Sequence, residues 1–535
     1  MDSIDSPSPA SVRLSRAHHW TLVVSCLSVA LVIGSMAALY AGLTDIAIAT
    51  GATQGQLTWI VDGYTLTLAC LVLPAGALGD RYGRRAVLIA GLTVFSAASS
   101  VPLFLQDPIS LIAARSVAGA GAAFVMPSTL SILTADLPAH QRGRAVGIWA
   151  GVAGSGAVLG TLGSGVLLEV WSWASIFAGT TVTGVILVIL AFTIPESVER
   201  QRPAIDPAGS VSIAVAIGLI VIALTEAPLR GWDDIGVLGL LGAGLATATV
   251  FVIIELRVEH PLLQLRLFTQ RGFASATMSI TLQFVVMFGV FLLLVQFLQL
   301  IFGYRPLQSA LAIAPIMVPL ISISLIAPWL ADRVGLRIVT VSGLLLIGAG
   351  LFLISRLNAD AEYADILWPL LILSVGMGLC TAPATAAIVA ETPPEKHGVA
   401  AAVNDAAREI GAAIGIAVAG SVLAAGYSNR IDPVLPRLPE QAREPVSHSL
   451  AAALQVADQA GPPGQQMADF AKAAFVHGTA QASLVLTIII VVSAIVLAPW
   501  TPGRGHVPLP ASAHDRDREQ EPVAIGGHAA HRDTN

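Results

Sequence analysis

Runs of about 20 apolar residues recur from one end of the chain to the other, separated by short polar connections. Fourteen stand out, near 20–43, 57–78, 86–105, 109–133, 145–168, 174–194, 209–227, 235–255, 273–302, 308–330, 337–356, 366–390, 398–425 and 476–499. About 20 residues at a rise of ~1.5 Å each cover the ~30 Å hydrocarbon core of a bilayer. A segment crossing lipid must pair its own backbone, which leaves helices or closed barrels. The two-residue alternation of barrel strands is absent, so the predicted fold class is all-α integral membrane with 14 transmembrane helices. One polar interval is long, 427–477. Pro433, Pro436 and Pro439 punctuate its start, and Leu450/Leu454 and Met467/Phe470 at helical spacing predict two helical pieces, near 447–459 and 465–476. A gate or lipid-facing lid and a passive amphipathic hairpin both fit that pattern.

Composition agrees with the pattern. The chain is 55% apolar and 12% charged, with mean hydropathy +0.77, where soluble proteins carry roughly 25% charged residues. A net charge of −6, scattered, excludes a nucleic-acid partner. Cys26, Cys70 and Cys380 lie far apart inside predicted helices, as small buried hydrophobes do, with no disulfide or metal spacing. The histidines show no ligand spacing, and no phosphate-cradling glycine loop follows a strand. The chain is therefore read as no enzyme, with no metal and no cofactor. Residues 1–19 mix acids with Arg13 and Arg16, and the first apolar run exceeds a signal-peptide core, so no cleaved leader is expected.

The cations are unevenly divided. Connections that alternate with the N-terminal side, together with the two ends, hold 19 of the 28 Lys and Arg, whereas the short connections opposite hold only Arg230, Arg305 and Arg356. The bias predicts an inner-membrane protein with both termini cytoplasmic. Among those connections, "GALGDRYGRRAVL" packs Asp80, Arg81, Arg84 and Arg85 between two helices, with Gly79 and Gly83 allowing a tight turn. The pattern Asp-Arg-x-Gly-x-Arg returns 252 residues later as "ADRVGLR", carrying Asp332, Arg333, Gly335 and Arg337. A repeated half of this kind marks a transporter built from parallel repeats. The second copy follows the tenth run rather than the eighth, so two helices are inserted between the halves.

These features resemble the major facilitator superfamily, and within it the 14-helix drug:proton antiporter branch. "WIVDGYTLTLACLVLPAGALGDRYGRRAVLIAGL" resembles that branch's second and third helices with the superfamily loop motif between them. "LIAARSVAGAGAAFVMP", anchored on Arg115, Gly119 and Pro127, resembles its fourth-helix motif. "IDPAGS…ALTEAPLRGWDD…FVIIELRVEHPLLQLRLF" resembles its inserted helices, and "HGVAAAVNDAAREIGAAIGIAVAGSVL" its thirteenth. The resemblance implies a major facilitator fold: a six-helix half over 20–200, two inserted helices over 201–260, a second six-helix half over 261–500, and a disordered cytoplasmic tail over 501–535. It also implies alternating access, with a cytoplasmic latch built from Gly76, Gly79, Asp80, Arg81, Gly83, Arg84 and Arg85 and echoed by Asp332, Arg333 and Gly335. Asp80 with Arg84 or Arg85 would hold the halves together.

Charges inside the membrane are costly, roughly 2.5–3.5 kcal/mol on insertion scales, and mark function by default. Asp405, Arg408 and Glu409 share one face of the thirteenth helix. Asp405 lies roughly 10 Å deep and Glu409 roughly 16 Å. A self-neutralising structural triplet and a proton-handling pair sharing one arginine both fit. Asp62, roughly 8 Å in from the other face, is a candidate proton or cation site, and Arg115 at similar depth is a candidate partner for it. The glycine-rich fifth helix, with Gly147, Gly151, Gly154, Gly156, Gly160, Gly163 and Gly165, offers close packing at its spacings of four, Gly147/Gly151 and Gly156/Gly160. The resemblance makes Gly156–Gly165 a hinge motif. Its usual Gly-Pro is Gly160-Thr161 here, and Ser35 stands where the branch carries a first-helix aspartate. Tyr40 replaces an asparagine, and Ala174 an arginine. Ser35, Tyr40, Trp59, Gln283, Gln296 and Asn404 are candidate cavity positions. The expected function is proton-coupled efflux of amphipathic cationic or lipophilic drugs by a monomer, with protons, small molecules and the bilayer as partners. Export of an endogenous metabolite or lipid by the same cycle is the alternative, and a non-transporting sensor a remote one.

Overall fold

The computed structural model describes residues 15–503, apart from 53, 138, 197–205, 359, 394–395, 438–439, 441–442, 444–445, 448–449 and 461–463. The N-terminal arm before Ser15 and the tail after Gly503 lie outside the described residues, as do Arg200 and Arg202. Helices α1 (Arg16–Thr50), α2 (Gln54–Tyr82), α3 (Arg84–Ser100), α4 (Pro108–Asp136), α5 (Ala139–Val170) and α6 (Ala174–Ala191) form the first half. A hairpin of α7 (Pro207–Arg230) and α8 (Ile235–Glu255) follows. The second half comprises α9 (Arg271–Leu300), α10 (Pro306–Ile313), α11 (Met317–Val334), α12 (Leu336–Ile354), α13 (Tyr363–Ala390), α14 (His397–Ile431), α15 (Leu450–Ala460) and α16 (Gln465–Trp500). Among the described residues there is no strand, and 14 spans are long and apolar enough to cross a bilayer, with α10 and α11 together making one, Leu307–Val334. A short 3₁₀ turn at Ala314–Ile316, introduced by Pro315, joins those two pieces.

Local chemistry starts the helices where it should. Asp107 and Asp206 each precede a proline and accept a hydrogen bond from the backbone N–H of Ser110 and Gly209, both at 2.9 Å, and Asp234 caps α8 in the same way through Val237. Proline at the first helical position gives up no bond the helix needs. The predicted 427–477 interval is narrower in space. Helix α14 runs on to Ile431 and α16 starts at Gln465, so the helical piece predicted near 465–476 is the beginning of the last span. Between them, Leu450 and Ala453 of α15 bury against Ala471, Ala474 and Phe475 of α16. The Tyr427 hydroxyl ties the same stretch down by donating to the Val446 carbonyl at 3.0 Å.

Two seams join the halves. At one, α5 lies on α11, and Gly147, Gly151 and Gly154 face Ser324, Ile321 and Leu320 so closely that added side chains would collide. At the other, α2 meets α14, and the inserted hairpin covers the join. Ala69, Val72 and Leu73 of α2, Ile217 and Val221 of α7, Phe251 of α8 and Val399, Ala402 and Val403 of α14 form one apolar cluster. Helices in lipid gain little from hydrophobic contact with one another, so close backbone approach supplies the packing energy. The α1–α5 crossing shows this best, with Gly160 backed directly onto the backbone of Gly34. Thr161 beside it returns its hydroxyl to the Ala157 carbonyl at 2.9 Å, and α5 runs unbroken through the position where a proline would remove a backbone bond.

Gly160→Ala is expected to lower the thermal unfolding temperature of the purified protein, an overpacking cost of about 1–3 kcal/mol. Gly163→Ala, at a site with nothing within 4 Å of the added carbon, should leave it nearly unchanged. Equal effects of the two would remove the α1–α5 backbone contact as a source of stability.

Candidate functional site: a charge latch and a buried ion centre between the halves

The turn between α2 and α3 depends on Gly83, at φ +107°, a conformation that strains any side chain. The turn aims Arg84 back at Asp80, and Nε and Nη2 donate to Asp80 Oδ1 at 3.2 and 2.9 Å. The same carboxylate reaches across the seam. Oδ1 accepts from the Gly398 N–H at 2.9 Å and Oδ2 from the Val399 N–H at 3.2 Å. Those are unpaired amides of the first turn of α14, where the helix presents partial positive charge. Asp80 and Arg84 are 1% and 3% exposed. Approach this close needs Gly76 and Gly398, since a side chain on either would strike the other's carbonyl oxygen. Gly79 faces only the Ser128 hydroxyl at 3.8 Å, and Arg81 stacks near the Tyr82 ring, 5.7 Å from its centre. Arg85 turns elsewhere, donating to the Ile194 carbonyl at 2.9 Å and to Glu196 at the end of α6.

The second motif copy keeps the turn and loses the latch. Gly335 repeats the positive φ, at +95°. Arg337 repeats Arg85, donating to the Thr501 carbonyl at 2.8 Å beyond α16. Asp332, expected to share in latching, is exposed, and Arg333 lies over the Trp329 ring at 4.3 Å. Leu336 occupies the place of Arg84, so no guanidinium draws the carboxylate inward. These contacts, with Trp20 bonded to Thr193 at 2.7 Å, bring the starts of α1, α3, α12 and α14 and the ends of α6 and α16 to one end of the bundle. Both described chain ends therefore lie at the latch end.

Deeper in the bundle, α14 carries Asp405 and Arg408, 0% and 1% exposed. The Arg408 guanidinium lies between two rings, 4.8 Å from Trp149 of α5 and 5.0 Å from Phe284 of α9. Nη1 is 4.0 Å from Asp405 Oδ1. Asp405 Oδ1 also accepts from Asn404 at 3.2 Å, and Asn404 in turn accepts from Thr385 at 2.9 Å. Asp405 Oδ2 and all three guanidinium nitrogens have no hydrogen-bond partner among the described residues. Glu409 is half-buried one residue on. Gln283 is fully buried, donating to Ser279 and accepting from Thr381 at 2.6 Å. Gln296 turns onto its own helix, toward the Leu292 carbonyl at 3.3 Å.

At the opposite end, Arg115 does not meet Asp62, contrary to the pairing the sequence suggested. It lies over the Tyr64 ring at 4.3 Å and donates to the Ile60 carbonyl at 3.3 Å, one turn away on α2. Tyr64 in turn donates to the Val32 carbonyl at 2.9 Å, with Ser35 at 3.5 Å. Helix periodicity explains the miss: Asp62 sits two residues from both Ile60 and Tyr64, so it points away from the face α4 packs on. It opens instead into a small cleft with Trp59, Thr65 and Leu66 on one wall and Val221, Thr225 and Glu226 of α7 on the other. Sequence reasoning passed over Glu226, although an acid one turn from the end of an apolar helix was a legible signal. Tyr40 is 47% exposed. The hinge-motif residues Gly156 and Gly160 serve the α1 contact, and Gly165 meets Leu307 of α10. Among the described residues, no three His, Cys, Asp or Glu side chains gather as a metal site would require.

The family model described as Major Facilitator Superfamily matches residues 25–416. The multidrug resistance protein Stp of Mycobacterium tuberculosis is 30% identical over 451 residues, covering 84% of this chain and 83% of its own. The methyl viologen resistance protein SmvA of Salmonella typhimurium is 31% identical over 475 residues, covering 86% and 94%. Among solved structures, the proton:xylose symporter XylE shares the fold at a TM-score of 0.59 and 15% identity, over 92% of this chain and 98% of its own.

Asp80→Ala removes one partner of a buried ion pair, a loss of about 3–5 kcal/mol. A cysteine introduced at Ala402, fully buried against Gly76, should then react faster with a water-soluble maleimide. Asp80→Asn should fall between Asp80→Ala and the parent, because its amide oxygen still accepts a bond but carries no charge. Unchanged labelling in both variants would show that the seam closes without Asp80.

Proposed function

The chain belongs to the major facilitator superfamily, and on that premise we propose that it exports amphipathic, cationic or lipophilic drugs in exchange for protons by alternating access. The observation that carries the proposal is the Arg408 centre: an ion pair with unsatisfied donors and acceptors, buried where α5 of one half meets α9 and α14 of the other. A fully satisfied pair would be inert structure. Here Asp405 Oδ2 and the guanidinium nitrogens hold hydrogen-bonding capacity in reserve, so protonation of the acid changes which partners Arg408 prefers. Because Trp149 covers that guanidinium from the other half, such a change bears on how the halves meet. Glu409, half-buried beside it, supplies a second carboxyl to the same exchange.

The charge bias of the loops supports a cytoplasmic latch end. With Asp80 seated on α14, the cytoplasmic mouth is shut, and release of Asp80 opens it for loading. One proton moving down 100 mV supplies about 2.3 kcal/mol, equivalent to roughly a 50-fold gradient of an uncharged solute. The resistance functions named for Stp and SmvA support drug-like cargo.

In everted vesicles, an imposed proton gradient should drive uptake of radiolabelled tetraphenylphosphonium by the parent protein. Asp405→Asn and Glu409→Gln should reduce it to passive leak while equilibrium binding persists. Full gradient-driven uptake in a variant neutralised at Asp62, Asp405 and Glu409 together would overturn proton coupling.

A further inference from the structure

The inserted hairpin carries two acids that neither the latch nor the Arg408 centre uses. Asp206 closes the N-terminus of α7 and Glu255 ends α8, and they are 4% and 5% exposed. Each gives one oxygen to the backbone: Asp206 Oδ1 accepts from the Gly209 N–H at 2.9 Å, and Glu255 Oε2 from the Leu263 N–H at 3.0 Å. Their other oxygens, Asp206 Oδ2 and Glu255 Oε1, are buried and have no hydrogen-bond partner among the described residues. Both orphan oxygens crowd the same point, the place a side-chain carbon on Gly209 would occupy, where a methyl group would collide with each. Glycine at 209 is what leaves room for the two carboxyl groups side by side.

Two ionised carboxylates facing each other away from water repel, and each would keep a costly unpaired acceptor. One proton resolves both problems. It makes one orphan oxygen a donor and the other its acceptor, giving a charge-assisted O–H···O⁻ bond. We propose that Asp206 and Glu255 together bind one proton, as an acid–carboxylate pair at the foot of the inserted helices. The charges that face the pair fit a net charge of −1. Lys396, just ahead of α14, feels both Glu255 and Asp80 and donates to the Pro261 carbonyl at 2.8 Å. Beyond it lie His397 of α14, Arg84 of α3 and Arg142 of α5. Burial pulls the Lys396 ammonium below the ordinary lysine range, and the two acids oppose that pull. The proton thereby sits on the latch's own electrostatic circuit. Losing it places a second negative charge on the inserted hairpin's side of Lys396, in competition with Asp80 for the start of α14.

The test is the infrared carbonyl band of protonated carboxyl groups in full-length protein reconstituted in a bilayer at neutral pH. Asp206→Asn and Glu255→Gln keep the backbone-accepting oxygens. Each should remove one carboxyl equivalent of that band, and the double variant should remove no more than either single one, because the proton belongs to the pair. No loss in either single variant, or losses that add in the double, would overturn the proposal. Lys396→Met leaves both acids in place. Removing a nearby positive charge favours the protonated form, so in this variant the same band should persist to higher pH than in the parent, and an unmoved titration would overturn the proposal equally.

Discussion

One carboxylate at the start of one helix holds the two halves of this protein in register. Asp80 belongs to α2 of the first half, yet it completes the unpaired first turn of α14 in the second. Burying an ion pair gains little net stability, because desolvation cancels most of the attraction. It gains position. An aliphatic side chain there could slide along the seam, whereas a carboxylate between a guanidinium and two helix-end amides has one place to sit. The backbone contact of Gly76 with Gly398 and the apolar cluster under α7 and α8 follow from that seat. The same arrangement makes the closure reversible, since one local charge interaction, rather than a broad apolar face, must be given up to open it.

The duplicated halves show how far a repeat can diverge while its geometry persists. Both turns use a glycine at positive φ, and both clamp the end of their half's last helix with an arginine, Arg85 or Arg337. Only the first keeps the inward aspartate, and the difference traces to Arg84 against Leu336. One seam is therefore locked by charge and covered by the inserted hairpin. The other is packed through glycines against α11. The inserted helices are more than a spacer in this arrangement, since they share an apolar cluster with α2 and α14 and bring Asp206 and Glu255 close to the start of α14.

The Arg408 centre follows a different logic. A guanidinium can be kept out of water by aromatic faces as well as by acceptors, because the ring quadrupole attracts a cation. Trp149 and Phe284 provide that shelter while leaving the nitrogens unbonded. The arrangement costs more than a saturated network. Trp149 is itself held by its indole N–H, donated to Thr129 at 3.0 Å, so the ring that covers Arg408 is fixed by the first half.

Much of this was legible in the residues alone, for a physical reason. In lipid, each span must satisfy its own backbone, so helix number and approximate limits follow from apolar run length, and a charge inside a run announces itself by its cost. Asp80 with Arg84, the i, i+3 neighbours Asp405 and Arg408, and the glycines of α5 were visible for that reason. Partnership was not. Whether Arg115 meets Asp62 or Tyr64 depends on which face of α2 turns toward α4, and the loss of Asp332 from the latch depends on what stands across the seam. Asp206 meets Glu255, 49 residues away, because α7 and α8 pair as an antiparallel hairpin, and Glu226 meets Asp62 because that hairpin folds back onto α2. Local pattern sets what each helix is, and only the packing of helix on helix decides which charges meet.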